Sequence, residues 1–414
     1  MNHRPIRVAL VTTLYPNAEQ PHHGVFVEER LRGLVESGAI DVRVIAPVPW
    51  FFSSHPRFGS YARLAAVPRR EVRYGIRIEH PRYVVIPKIG MMMVPHTLSR
   101  TIGRALARLR ADGFDFDLID AHYVYPDGVA AVMAADRFKR PVVMTARGTD
   151  INVIASMPGP WRQIRRAVDR AGALIAVSRA LGDRMADTLG IGRGRIAALR
   201  NGVDLARFIP GDRTALRTRF DLSGPVWLCV GRLTESKGMH IAIDALAENA
   251  DATLLLIGEG EDAGLLKAQA ERRGVAERVR FVGAVAHDDL PDYFSAADVL
   301  MHAADREGMP NVLLEALACG CAIIATAVGG IPEIMDGLPA GYLMASRDAG
   351  AMIECWHQLQ AAEALDERGR AARRRYAEQF GWEPTTRGQL AIFSRLTGVA
   401  LDESRPGEPV SGTS

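Results

Sequence analysis

The chain has 414 residues, 48% hydrophobic and 24% charged, with a mean hydropathy near zero and a formal net charge of +3. That length exceeds what one hydrophobic core usually organises, so two globular domains are expected. No apolar run approaches the ~20 residues needed to span a bilayer, and the run from Val8 to Val11 is too short for a signal peptide, so a cytoplasmic protein is expected.

Short Val-, Ile- and Leu-rich runs bounded by Gly, Pro or Asp alternate with helical stretches: IRVALVT, DVRVIAP, FDLIDAH, PVVMTAR, ALIAVS and RIAALRNG. That alternation predicts parallel strands joined by crossover helices. It restarts after the polar segment RFIPGDRTALRTRFDLSGP with VWLCVGRL, ATLLLIGEG, RVRFVGAV, ADVLMHAA and AIIATAVGG. Two doubly wound α/β domains follow, with a linker near Asp204 to Gly224 and a polar, disordered tail from Leu401. Ligands of such sheets bind beyond the carboxyl ends of the strands, so the residues closing each run carry the chemical reading.

In chain order, Gly24 in HHGVFVEERL stands after the first strand and before a helix, where it serves either close approach of backbone to a ligand or loop conformation alone. From Arg43 to Arg110 there are thirteen Arg or Lys against Glu71 and Glu79, together with Trp50, Phe51, Phe52 and Met91 to Met93. This basic segment suits either an anionic membrane surface or a solvated face over ordinary core. No aromatic-and-basic module points to nucleic acid. Asp115 and Asp117 spell D-x-D, but they enter a strand at its amino end and read as surface or capping acids. His122 closes that strand, where a substrate hydroxyl could reach it. Arg147 and Asp150 in TARGTD either orient an acceptor or pair with each other.

Arg232 and Lys237 in VGRLTESKG are two cations beyond a strand end and suit a diphosphate. Gly258 and Gly260 resemble a dinucleotide fingerprint. The next strand ends without an acid for a ribose, so a tight turn edging a nucleotide site is the better reading. His302, Asp305 and Glu307 fit no standard metal spacing. In REGMPNVLLEALACG, Glu315 lies in an otherwise apolar run, and burying an ionised carboxylate unpartnered is costly, so something polar must meet it. Pro310 suits a helix start and Gly320 its end, which predicts a helix from Pro310 to Cys319 whose free N–H groups at Asn311, Val312 and Leu313 form an anion site. The four cysteines have no paired metal spacing and are expected reduced and packed.

The Glu307 to Glu315 spacing, E-x7-E, together with EGMPNVLLEALACG, VGGIPE, GRLTESKG and NGVD, resembles glycosyltransferase family 4 over nearly the whole chain. HYVYPDG and ARGTDIN are similar to bacterial members that build exopolysaccharide or teichuronic-acid-type polymers. The resemblance implies the GT-B fold, α/β with two doubly wound Rossmann-like domains facing across a cleft. Residues 1–205 would form the acceptor domain and 206–380 the nucleotide-sugar domain. Residues 381–397 would be a helix crossing back to the N-terminal domain, and 398–414 a disordered tail.

By the same resemblance Arg232 and Lys237 hold the diphosphate of a UDP- or GDP-sugar, Glu315 hydrogen-bonds its ribose, and Glu307 holds sugar hydroxyls with Gly308, Met309, Pro310 and Asn311. Val285 would contact the base through its backbone, His122 the donor sugar, and Gly24 would face the diphosphate. Transfer to a carbohydrate or lipid-linked acceptor would proceed with retention and without a metal or other cofactor, on the inner face of the membrane if the basic segment binds lipid. This chain has Asp120 and His122 where relatives often carry two histidines, and Ala322 where a proline is common, which bears on substrate detail. An epimerase or hydrolase of sugar nucleotides and a silent scaffold are the competing readings. The intact set Arg232, Lys237, Glu307 and Glu315 speaks against the scaffold.

Overall fold

The computed structural model describes residues 4–55, 57, 60–85, 90–248, 251–339 and 341–401. It divides into two compact units, one running up to Asn201 and resuming at Trp382, the other from Gly202 to Gly381.

The N-terminal unit is built on an eight-stranded sheet in the order Ile196–Ala198, Ala173–Ala176, Val142–Ala146, Leu118–His122, Ile6–Val11, Ile40–Ile45, Ile76–Glu79, Arg70–Arg73. Neighbours are parallel except the last two, which form an antiparallel hairpin. Leu118–His122 and Val142–Ala146 are buried along their whole length, as strands covered by helices on both faces must be. The hairpin falls within the basic segment and was not anticipated. Its strands REVR and IRIE are short and charged, with Ile76 and Ile78 facing in and Arg77 out, and it turns at Tyr74 and Gly75, both at positive φ.

The second unit carries six parallel strands in the order Val279–Gly283, Thr253–Ile257, Val226–Val230, Val299–His302, Ala322–Thr326, Gly341–Met344. The chain works outward on one side from Val226–Val230, then crosses to start again at Val299–His302. Doubly wound sheets bind ligands at the carboxyl ends where the order reverses. The corresponding point of the first unit lies between Ile6–Val11 and Leu118–His122.

Two expectations are corrected by packing. The segment read as a linker forms the Arg213–Arg219 helix, capped by Asp212; Arg217 reaches Asp298 at 2.6 Å and Arg213 bonds the other oxygen of that carboxylate, so it belongs to the second unit. The tail does not leave the fold at residue 398, because Val399 and Leu401 pack on the N-terminal core; the remainder, 402–414, lies outside the described residues. The C-terminal helix runs Glu383–Thr397 and buries Leu390, Ile392 and Phe393 in the core of the first unit. The four cysteines are unpaired and buried. Among the described residues, no helix is long and apolar enough to cross a membrane.

Candidate active site

At the switch point of the second unit, Val226–Val230 leads through Gly231 and Arg232 to Lys237, and Val299–His302 leads to Glu307. Two glycines allow the loops to close on each other. A Cβ at Gly238 would lie 2.1 Å from the Ala303 carbonyl oxygen, and one at Gly329, in VGGIPE, 2.1 Å from that of Glu307. Ser236 O accepts from Asp305 N–H at 2.9 Å, and Arg347 ties the same loops by donating to Ala303 O and Glu235 O at 2.8 and 2.7 Å. The result is that Lys237 Nζ, seventy residues away in sequence, stands 2.5 Å from Glu307 Oε1, which also meets His302 Nε2 at 3.0 Å. Burial alone would raise the Glu307 pKa, but the His302 hydrogen bond and the Lys237 charge hold it down at about 2. Glu307 is therefore a fixed carboxylate. Arg232 is exposed and reaches Glu261 at 3.2 Å, leaving it able to reorient.

Glu315 projects from the Asn311–Ala318 helix and is buried. What meets it is His287, whose Nε2 lies 3.1 Å from Glu315 Oε1. Arg207 Nη1 lies 2.9 Å from the other ring nitrogen. A guanidinium only donates, so Nδ1 accepts and Nε2–H donates to the carboxylate. Pro310 is the cap and Asn311 the first helical residue; Gly308, Met309 and Pro310 are buried, Val312 half-buried. One of the three expected free N–H groups is corrected. Leu313 N–H already donates to Pro310 O at 3.3 Å, because the first turn closes on its cap. Val285 is half-buried between the Val279–Gly283 strand and the His287–Asp289 turn. A Cβ at Gly258 would sit 1.9 Å from Gly231 O, so its bare Cα lets backbone pass against backbone, as the tight-turn reading expects.

In the first unit, His122 is not the lone, accessible histidine of the sequence reading. It is 1% exposed, its Nε2 lies 3.0 Å from Asp120 Oδ2, and Arg147 Nη2 bonds its Nδ1. By the same donor logic the ring is the neutral Nε2–H tautomer. Burial, only partly offset by Asp120 and reinforced by the Arg147 charge, lowers its pKa to about 4. Asp120 Oδ2 also accepts from Gln389 of the C-terminal helix at 2.8 Å, and Gln389 Oε1 accepts from buried Arg30 at 2.6 Å. Arg147 and Asp150 meet through the Arg147 backbone N–H rather than side chain to side chain. The Asp150 carboxylate is fully buried and accepts backbone N–H bonds from Val124 at 2.8 Å, Gly148 at 2.8 Å, Arg147 at 3.1 Å and Ile151 at 3.2 Å. It staples the loop after Val142–Ala146. Arg147 instead spans His122 and Asn201, the latter at 3.2 Å. Gly24, at φ 75, caps the Val25–Glu36 helix; a Cβ there would lie 2.4 Å from Leu14 backbone, so a tight loop return requires it whatever it binds. Asp115 and Asp117 pair with Arg140 and Arg4 at 2.9 and 2.6 Å, at the amino end of the Leu118–His122 strand.

Sequence reasoning missed the partners. Asp120 could have been found, since it lies two residues from His122 on the same strand face. His302 closes its strand as His122 does, which is a usable signal. Nothing local marks Arg30 or Gln389.

Residues 23–207 match the family model described as Glycosyltransferase Family 4, and residues 224–361 the model described as Glycosyl transferases group 1. TuaC of Bacillus subtilis (strain 168), whose name assigns it to teichuronic acid biosynthesis, is 30% identical over 84% of this chain and 88% of its own. The chain belongs to glycosyltransferase family 4. The D-inositol 3-phosphate glycosyltransferase of Mycobacterium tuberculosis (strain F11) is 31% identical to this family 4 glycosyltransferase, over 72% of the chain and 65% of that protein. Among solved structures, sucrose-phosphate synthase from Thermosynechococcus elongatus superposes with a TM-score of 0.76 at 18% identity, covering 95% of this chain and 100% of that one. Anabaena HepE in complex with UDP-glucose gives 0.70 at 21% identity, covering 93% and 98%. Both likenesses establish the GT-B type of fold for this glycosyltransferase.

Proposed function

We propose that this glycosyltransferase moves a sugar from a UDP- or GDP-sugar to an acceptor hydroxyl with retention at the anomeric carbon, in the assembly of a cell-surface polysaccharide or glycolipid. The observation that carries the reading is the joining of Lys237, Glu307 and His302 at the switch point, the crevice where doubly wound sheets bind ligands. In this reading Lys237 and Arg232 take the diphosphate and stabilise the charge that grows on it as the anomeric C–O bond breaks. The ionised Glu307 accepts sugar hydroxyls, with the backbone from Gly308 to Val312 beside it. Glu315, its carboxylate fixed by His287, binds the ribose. Val285 lies beside the base.

His122, a neutral ring, donates Nε2–H or accepts at Nδ1 once the sugar displaces one of its present partners. Gly24 brings its loop to the diphosphate, and Arg147 reaches the acceptor side. The new bond forms on the face from which the phosphate leaves, and the acceptor proton passes to the leaving phosphate oxygen. Lys237 and Arg232 supply the cationic charge, so the reading calls on no metal. TuaC and HepE, with teichuronic acid and UDP-glucose in their names, support a polymer product and a UDP donor.

A thermal-shift panel of UDP- and GDP-sugars tests the donor, since binding to the native state raises the melting temperature. Proton NMR of the first-formed product tests the stereochemistry. No shift with any nucleotide sugar, or a product of inverted configuration, would overturn the reading.

A further inference from the structure

We infer that the N-terminal unit holds a second ligand site, for an acidic saccharide, on the sheet face beside the Arg70–Glu79 hairpin. A cavity of about 540 Å³ lies there, within the range of about 300–1,000 Å³ typical of small-molecule sites. It arises from register. Successive strand residues point to opposite faces, so while Val8, Val42, Val44, Ile76 and Ile78 enter the core, Arg7, Arg43 and Arg77 project from the other side. The hairpin brings Arg70 and Val72 to that same side, opposite Glu79 and Arg77. The end of the Gly90–Ala111 helix walls the cavity: Arg108 bonds Glu79 at 2.7 Å, and the Phe114 ring centre lies 4.5 Å from the Arg43 guanidinium. Arg7 and Asp41 stand second in their strands, so the cavity begins toward the amino ends, away from the end that His122 closes.

The charges around this cavity do not balance. Arg43 and Arg77 are direct partners on neighbouring strands, where like charges oppose pairing. Asp41 meets Arg43 at 2.6 Å, Glu71 is taken by His80 at 2.5 Å, and Glu79 is taken by Arg108. That leaves Arg7, Arg70 and Arg77, whose side chains form no hydrogen bond or ion pair among the described residues, together with Asp112, whose carboxylate has no partner among them either. A guanidinium meets a carboxylate through two parallel N–H···O bonds, whereas an ionised Asp112 only accepts and suits a hydroxyl. Cations for carboxylates beside an acceptor for hydroxyls fit a sugar acid. A phosphate-dense chain would instead crowd Asp112 and the neutralised acids with further negative charge. The site itself rests on cavity and charge; the saccharide class also rests on the proposed transfer function, for which the site would hold an acidic chain away from its reacting end.

The test is calorimetric titration of the full chain with trigalacturonic acid, without donor, against neutral maltotriose, tripolyphosphate and triglutamate. Trigalacturonic acid should bind, and more weakly at high salt, while maltotriose should give no heat of binding. Arg70→Gln/Arg77→Gln should weaken that binding about tenfold or more. Melting temperature and nucleotide-sugar thermal shift should be unchanged, because neither side chain holds a partner in the fold. If that variant melts early, Arg7→Gln should show the same loss. No binding of trigalacturonic acid, equal binding of maltotriose, equal or tighter binding of tripolyphosphate or triglutamate, or undiminished binding by a folded variant overturns the proposal. Absent binding beside an intact nucleotide-sugar shift refutes this site alone, and binding retained without any nucleotide-sugar shift refutes the transfer reading alone.

Discussion

Lys237 and Glu307 each change meaning once their contact is known. From sequence, Lys237 is one of two cations beyond a strand end, and in the fold it neutralises a carboxylate whose side chain is only 11% exposed. Lys237→Ala should therefore lower kcat strongly and also cost about 1–3 kcal/mol of stability, by leaving a buried charge short of a partner. Chemical denaturation of Lys237→Ala, Glu307→Gln and the double variant measures this, and strict additivity would refute the coupling. The acid side follows from the same pair. Glu307 titrates in the folded chain at about 2 against an ordinary 4.5, so its contribution is present above pH 4.5 and is lost as the pH falls toward 2. Glu307→Gln should flatten the stability profile in that window. For His122 the folded pKa of about 4 lies below the ordinary 6.5; the unfolded chain binds a proton that the folded chain refuses, so stability falls as the pH drops from 6.5 to 4. His122→Asn should remove that slope, measured by denaturant unfolding across the same range.

Among the elements, the crossover loops were the most legible, whereas the contact each glycine makes was not. VGRLTESKG and VGGIPE announce loops at strand ends, and they are. What their glycines do depends on which backbone passes beneath them. Gly258 follows the Thr253–Ile257 strand as a nucleotide-binding glycine would, and Gly231 O occupies the space a Cβ there would need. Its φ of 133 is one that side chains rarely adopt. Gly258→Ala should cost on the order of 3 kcal/mol in thermal unfolding through strain and overlap, whether or not donor is present. The Asn311–Ala318 helix was legible from Pro310 and Gly320, but not the state of its N–H groups, since a first turn can close on its own cap or leave those groups for a ligand. The Arg70–Glu79 hairpin was missed because its residues alternate charge with isoleucine, and charge density drew attention before period did.

Across the whole molecule, the chain leaves its first unit at Asn201 and comes home at Trp382. Gln389 then bridges buried Arg30 and Asp120, whose other partners are Leu199 O and His122. Truncation after Gly381 should weaken the N-terminal unit selectively: amide exchange should quicken in Ile6–Val11 and Leu118–His122 while Val226–Val230 stays protected. Equal loss of protection in both sheets would refute it. Composition, apolar runs and motif spelling determined by themselves that there are two doubly wound domains and which family the chain belongs to. These are local properties, written in periods of a few residues and in the residues that end them. Only the tertiary structure decided the partners: His287 beside Glu315, Lys237 beside Glu307, Gln389 beside Asp120. Such pairs are set by strand order and loop closure across 28 to 269 residues, and over that distance no local pattern specifies which buried charge a side chain will meet.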